Sequence, residues 1–306
     1  MVMTTGIPLF LIDGHNLLFR ACFGTPAEIY SRDAERRDIT TQFMFFALLR
    51  KAVTAELDSW PEILVVFDGE HGSAERQASD AGYKANRDTS DPARRPLEAL
   101  ADVKTGLDLL GIAWIEIDDV EADDVIATLA AATCAERDVL ILSMDQDFYQ
   151  LLADSDSDGT RQSVRILNTA QRPGSRLIGP ADVLARYGVH PAQFADLRAL
   201  SGDTSDNIPG VRGIGPKTAA TLLAGGLALE DLPASGRLIG AKGAAIQAAW
   251  PQILTWRAMI RMRRDVPLPR TPTGIATTPL PIPGDVIAQL GLWAATPPAP
   301  TTSMAS

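Results

Sequence analysis

Leu9-Phe10-Leu11-Ile12-Asp13-Gly14-His15-Asn16 runs four apolar residues straight into an aspartate. The same grammar returns in Ile63-Leu64-Val65-Val66-Phe67-Asp68 and in Val139-Leu140-Ile141-Leu142-Ser143-Met144-Asp145. Short uninterrupted apolar runs bounded by polar residues predict strands buried on both faces. Residues 40–57, 96–110 and 121–136 lie between them and carry helical patterns. Strands alternating with helices predict a doubly wound α/β unit, because parallel neighbours need a crossover element. Residues 112–117 and 164–167 supply two further short strands, the second expected at the sheet edge.

The 306 residues are 46% hydrophobic and 22% charged, which suits a folded chain with a real core and excludes global disorder. Cys22 and Cys134 are too few for a disulfide framework or a Cys-only zinc site. No run reaches the roughly 18 apolar residues of a membrane span, and the first residues lack a signal-peptide pattern, so a cytoplasmic protein is expected. The formal charge of -10 argues against binding nucleic acid through bulk positive charge. Its distribution matters more. Residues 207–270 hold nine Lys or Arg against three Asp or Glu, within a run of short helices at 180–187, 191–200, 216–224 and 242–263. Nine of the 21 prolines fall in residues 267–300, where an extended wrap or loose tail with a short helix near 284–291 is expected. The expected division is therefore a core at 1–179, a helical region at 180–265 and a Pro-rich segment at 266–306.

Ligands of open parallel sheets sit beyond the carboxyl ends of the strands. Asp13, Asp68, Asp145 and Asp147 fall at such ends, Glu121-Ala122-Asp123-Asp124 opens a helix, and Asp203 and Asp206 sit in a turn. Each alone is explained by helix capping or turn chemistry. Together on one rim, their repulsion raises their pKa values or destabilises the fold unless cations intervene. An oxygen-only ligand set suits hard Mg2+ or Mn2+. Val211-Arg212-Gly213-Ile214-Gly215-Pro216-Lys217-Thr218 places two glycines before a helix start, a hairpin able to bring amides to a phosphate. A tight helix–helix turn accounts for the same residues. Neither the P-loop spacing nor the dinucleotide fingerprint is present, which disfavours ATP and NAD enzymes.

The ordered landmarks resemble the bacterial 5'-3' exonuclease and flap-endonuclease family, including the 5'-nuclease domain of family A DNA polymerases. They are Leu11 to Asn16, Val66-Phe67-Asp68, Tyr83-Lys84-Ala85-Asn86-Arg87, Glu121 to Asp124, Ser143 to Phe148, and Ser201 to Gly210 followed by Gly213-Ile214-Gly215. The resemblance runs through residues 9–265 and implies a PIN-like nuclease core with a mostly parallel sheet. A helical duplex-binding region with a helix-hairpin-helix-type phosphate-binding motif follows, and the enzyme is expected to be freestanding. It implies an inner metal set of Asp13, Asp68, Glu121, Asp123, Asp124 and Asp145, and an outlying set of Asp147, Asp203 and Asp206.

In the same way Lys84 and Arg87 are implied as catalytic contacts to the substrate phosphate, on an arch-like stretch at 70–96 that also carries Arg76 and Tyr83. For Tyr83, stacking on a base and support of the loop are both open. Gly210, Val211, Gly213, Ile214, Gly215, Lys217 and Thr218 are implied to bind duplex backbone, with K+ at the hairpin. Two or more Mg2+ or Mn2+ ions are the implied cofactors. The implied partner is DNA with a 5' flap or free 5' end, or RNA-primed DNA, with a DNA polymerase or other repair proteins compatible. No membrane is involved, and a monomer is the default. Two other readings stay open: a PIN-like ribonuclease, and a noncatalytic binder of DNA structures.

Overall fold

The computed structural model describes residues 6–32, 35–86, 90–156 and 162–293. The first half alternates as the apolar runs require: β1 (Leu9–Asp13), α1 (Gly14–Phe23), α2 (Thr40–Glu56), β2 (Glu62–Asp68), α3 (Ala74–Ser79), α4 (Asp91–Arg94), α5 (Leu100–Leu109), β3 (Ala113–Ile117), α6 (Ala122–Thr133), β4 (Val139–Leu142), β5 (Val164–Leu167) and β6 (Leu177–Ile178). The strands order as β3-β2-β1-β4-β5-β6, parallel except for β6, which pairs antiparallel to β5 through Ile166 and Ile178. β5 is therefore interior, not the edge strand that its position suggests. The two-residue β6 that covers it is too short to leave an apolar run. From β1 the chain winds outward through β2 and β3, then returns to lay β4 on the other side of β1. That reversal opens a crevice at the carboxyl ends of β1 and β4, where Asp13 and Asp145 stand.

Alternate residues of the strands feed two cores. Leu9, Leu11, Leu64, Val66, Val139 and Ile141 pack on α6, while Phe10, Ile12, Ile63, Val65 and Phe67 pack on α1, α2 and α5. The second half is helical: α7 (Pro180–Tyr187), α8 (Phe194–Ser201), α9 (Pro216–Leu222), α10 (Gly240–Ala248) and α11 (Trp250–Ile260). Its Phe194, Leu197, Leu200, Ile253, Trp256 and Met259 join the α6-side core, so the helical region is welded to the sheet. The span expected as one helix over 242–263 breaks at Ala249, because Pro251 lacks an N–H and fits only the first turn of α11.

Beyond α11 the chain returns to the amino-terminal end of the sheet. Thr277 N donates to Pro61 O at 2.9 Å, and Ile63 N donates to Thr277 Oγ1 at 2.8 Å. It then forms α12 (Pro283–Gln289), whose Val286 packs in the α2-side core. Among the described residues, no helix is long and apolar enough to cross a membrane.

Candidate functional site

Asp13 ends β1 and caps α1, accepting Asn16 N at 3.1 Å, and its other oxygen accepts the Ser143 hydroxyl at 2.8 Å. Ser143 in turn accepts Asp145 N at 3.0 Å, so one hydroxyl ties the tips of β1 and β4 together. Asp68 ends β2 and accepts Ala122 N at 2.8 Å, which draws the amino terminus of α6 onto the same rim. Gly69 makes this closure sterically feasible: a Cβ there would lie 1.9 Å from the Ile117 carbonyl oxygen. His15 Nδ1 lies 3.5 Å from the Asp68 carboxylate.

The charges of these groups act on one another. Burial, then the Asp68 charge and more weakly Asp145, push the Asp13 carboxyl up to about 7. Burial and the charges of Asp145, Asp13 and Asp68 likewise push Asp123 well above the carboxylate range. Asp13, Asp68, Asp123 and Asp145 thus form one mutually repelling group.

Glu121 and Asp124 have different company. Arg76 spreads its guanidinium across both, meeting Glu121 Oε2 and donating to Asp124 Oδ1 at 2.7 Å. Lys84 Nζ donates to Glu121 Oε1 at 2.6 Å, and Tyr83 OH donates to Oε2 at 3.2 Å. Tyr83 is only 3% exposed, so its ring lies inside the protein beneath Glu121. The segment bearing these residues is stitched to the helical half: Lys84 N donates to Asp206 O at 3.1 Å and Asn86 Nδ2 to Thr204 O at 3.0 Å. Arg87 lies outside the described residues.

A second acidic group stands alongside. Burial, then Asp145, Asp203 and Asp206, push Asp147 well above its ordinary value, opposed by Arg198. Arg198 Nε lies 3.6 Å from Asp203 Oδ2. Asp147 Oδ1 and Asp203 Oδ2 are buried without a hydrogen-bond partner. Buried, orphaned carboxylate oxygens beside repelling carboxylates fit a hard divalent cation, and the donor set is all oxygen. Glu70, His71 and Asp118 form a further exposed group at the β2 and β3 tips whose donor atoms lie within 4.8 Å of one another, a candidate metal-binding triad that the sequence reading did not single out. It also missed Arg198 and the Arg263 main-chain N–H, which donates to Asp124 at 2.9 Å. The Arg263 contact spans 139 residues of sequence and leaves no local signal.

At the hairpin, Gly210 has φ +66° and packs on the backbone of Ser201 and Gly202, where any side chain would collide. Val211 and Ile214 are buried pegs, while Gly213 and Gly215 are exposed before α9 and Lys217 is exposed in its first turn. Thr218 Oγ1 accepts Lys242 Nζ at 3.3 Å.

Comparison with known proteins gives two family matches. The 5'-3' exonuclease N-terminal resolvase-like domain matches residues 8–188, and the 5'-3' exonuclease C-terminal SAM fold matches residues 189–281. DNA polymerase I of Thermus aquaticus is 38% identical over 272 residues, covering 86% of this chain but 30% of the polymerase. A 5'-3' exonuclease of Streptomyces coelicolor is 34% identical over 286 residues, 88% of this chain and 90% of the relative. The chain thus spans less than a third of the polymerase and most of the Streptomyces protein. Among solved structures, T5 5'-exonuclease with bound divalent metal ions (zinc) aligns with a TM-score of 0.64 at 21% identity, over 83% of this chain and 89% of that one. The catalytic core of Rad2 in complex with DNA substrate aligns at 0.55 and 16% identity, over 93% and 87%. These matches correct the expected PIN-like core: the architecture is a resolvase-like domain followed by a SAM fold that carries the hairpin. An acidic rim on a parallel sheet is common to several folds, so the acids that suggested a PIN-like core do not distinguish among them.

Proposed function

This chain belongs to the 5'-3' exonuclease and flap-endonuclease family, and on that premise we propose that it hydrolyses DNA phosphodiesters near 5' ends in a divalent-metal-dependent, structure-selective reaction. The observation that carries the reading is the buried rim where Asp13 and Asp123 are held far from their ordinary ionisation by burial and one another.

Asp13, Asp68, Asp123 and Asp145 are proposed to hold one Mg2+ or Mn2+, with Glu121 beside them, and Asp147, Asp203 and Asp206 to hold a second. Ions bound there supply charge that lowers the pKa of water and offsets negative charge on the phosphate in the transition state. The protein's own side chains do the placing. Lys84 and Arg87 orient the scissile phosphate, and Lys84 is already anchored by Glu121. The exposed Gly213 and Gly215, with Lys217 and K+, grip duplex backbone at a distance, which reads DNA shape more than sequence. Flapped DNA, recessed ends and RNA-primed DNA are the proposed substrates, with the cytoplasm as the setting.

The test is cleavage of 5'-labelled flap, nicked, gapped, blunt and single-stranded DNA in parallel. Short labelled products are expected from flapped and recessed duplexes with Mg2+ or Mn2+, and none with chelator. Folded protein that releases no product from any member of the panel overturns the reading.

A further inference from the structure

The rim carboxylates divide into two populations, and the division falls between adjacent residues. Asp123 feels the charges of Asp145, Asp13 and Asp68. Asp124, about 100° further round α6, lines a different space: a cavity of about 290 Å³ between α3 and α11, walled by Arg76, Arg261 and Arg263 together with the acids Glu75 and Asp119. There its Oδ1 already serves two donors, Arg76 at 2.7 Å and the Arg263 main-chain N–H at 2.9 Å. The second is backbone three residues beyond α11 and cannot rotate away as a side chain does. Arg76 itself is pinned, with 12% of its side chain exposed and its fork spanning Glu121 and Asp124. A planar guanidinium between two carboxylates has its orientation fixed, which a lysine at the same place cannot reproduce.

We propose that Asp124 is a positioning residue: it holds no metal ion and instead aims the Arg76 guanidinium along this cavity toward a phosphate of the bound strand. Asp124 thus parts company with the four acids it resembles in sequence. The inference rests on the metal-dependent hydrolysis proposed above, and it assigns the Arg76 cation of that site to a device built from α3, α6 and the segment after α11.

Two measurements test it. In the first, Mn2+ alone is titrated into DNA-free wild type, Asp123→Asn and Asp124→Asn, each confirmed folded by thermal unfolding. Asp124→Asn keeps the oxygen that accepts both N–H groups, and its Mn2+ dissociation constant is expected within about twofold of wild type. Asp123→Asn is expected to weaken binding about tenfold or more. In the second, flap cleavage is measured for Asp124→Ala, Arg76→Ala and the double variant. Each single change is expected to lower kcat about tenfold or more with little change in KM, and the double variant to be no worse than Arg76→Ala, since both remove one aimed cation. Arg76→Lys is expected to be as impaired as Arg76→Ala. Loss of Mn2+ affinity in Asp124→Asn equal to that in Asp123→Asn overturns the proposal. So do normal turnover in Asp124→Ala and losses that multiply in the double variant. Wild type that binds Mn2+ but cleaves nothing sinks the hydrolase reading, while the Mn2+ comparison still judges Asp124 by itself.

Discussion

Asp13 has to end a strand, cap the next helix and share a crevice with other acids, and these demands pull its proton affinity in opposite directions. The Asn16 N–H and the Ser143 hydroxyl favour the charged form, yet burial and the neighbouring acids prevail and bring the folded value to about 7 from an ordinary 3.8. Between those values the folded protein keeps a proton that the unfolded chain releases, so this group's contribution to stability falls as pH rises from about 4 to about 7. Asp123 and Asp147 shift in the same direction and add to the trend. In chelator, the thermal midpoint is therefore expected to decline across that window, and Mg2+ to restore it above pH 7. Asp13→Asn removes the charge and keeps an acceptor, so at pH 8 without metal it is expected to melt a few degrees above wild type, with turnover down about a hundredfold or more. A lower melting point under those conditions ends the repulsion account. The acids themselves are legible, because an apolar run ending in Asp marks both a strand and its carboxyl tip. Their cationic partners are not. Arg76 meets Glu121 across 45 residues of sequence, and nothing local announces the pairing.

Elements are positioned here by their ends as much as by their faces. At its carboxyl end β2 offers Asp68 to α6; at its amino end Glu62 clamps the returning C-terminal segment. One Glu62 carboxylate accepts Thr273 N at 2.6 Å and Gly274 N at 2.9 Å, and Arg137 donates to it at 2.6 Å. Burial pushes this acid up, but the Thr273 N–H and Arg137 together hold it below its ordinary value, so its stabilising effect is present at neutral pH and lost on acidification. Six residues of strand put the clamp roughly 20 Å from Asp68. Glu62→Ala leaves Arg137 and two main-chain donors without their acceptor, and is expected to cost about 2–4 kcal/mol in urea unfolding. Limited proteolysis is expected to quicken within 266–282, with kcat on flapped DNA unchanged. If the segment stays protected and stability is retained, the clamp is not what holds it. Prolines flag this stretch as extended, but a wrap held by single contacts to Glu62, Pro61 and Ile63 has no periodicity to read. The same limit hides α1, whose helix follows directly on the Asp13 cap, and the two-residue β6. Long apolar runs survive translation into structure; contacts made by single residues at element ends do not.

At the scale of the molecule, a chain of net charge -10 gathers a basic surplus in residues 207–270, so charges that attract a phosphate backbone and charges that repel one are segregated along the sequence. The acidic rim repels the phosphates that the proposed reaction must bring to it, and the helical half has to supply the compensating grip. In the proposed reaction, divalent ions at the rim and Lys217 at the hairpin act on different parts of one binding equilibrium. Phosphate contacts release counterions, giving a linear fall of log affinity with log salt whose slope loses about 0.9 for each contact removed. Duplex binding is therefore expected to show such a fall at fixed Ca2+, and Lys217→Ala to reduce the slope by about 0.9, to the same extent on any DNA sequence. Lys51→Ala, an exposed lysine on α2, is expected to leave the slope unchanged. Removing the divalent ion is expected to weaken binding of a flapped substrate that reaches the rim more than binding of a plain duplex that engages the hairpin alone. If chelation weakens both equally, or if Lys51 and Lys217 alter the slope alike, the charge is not segregated in function, and the hairpin cannot be the grip that offsets the rim.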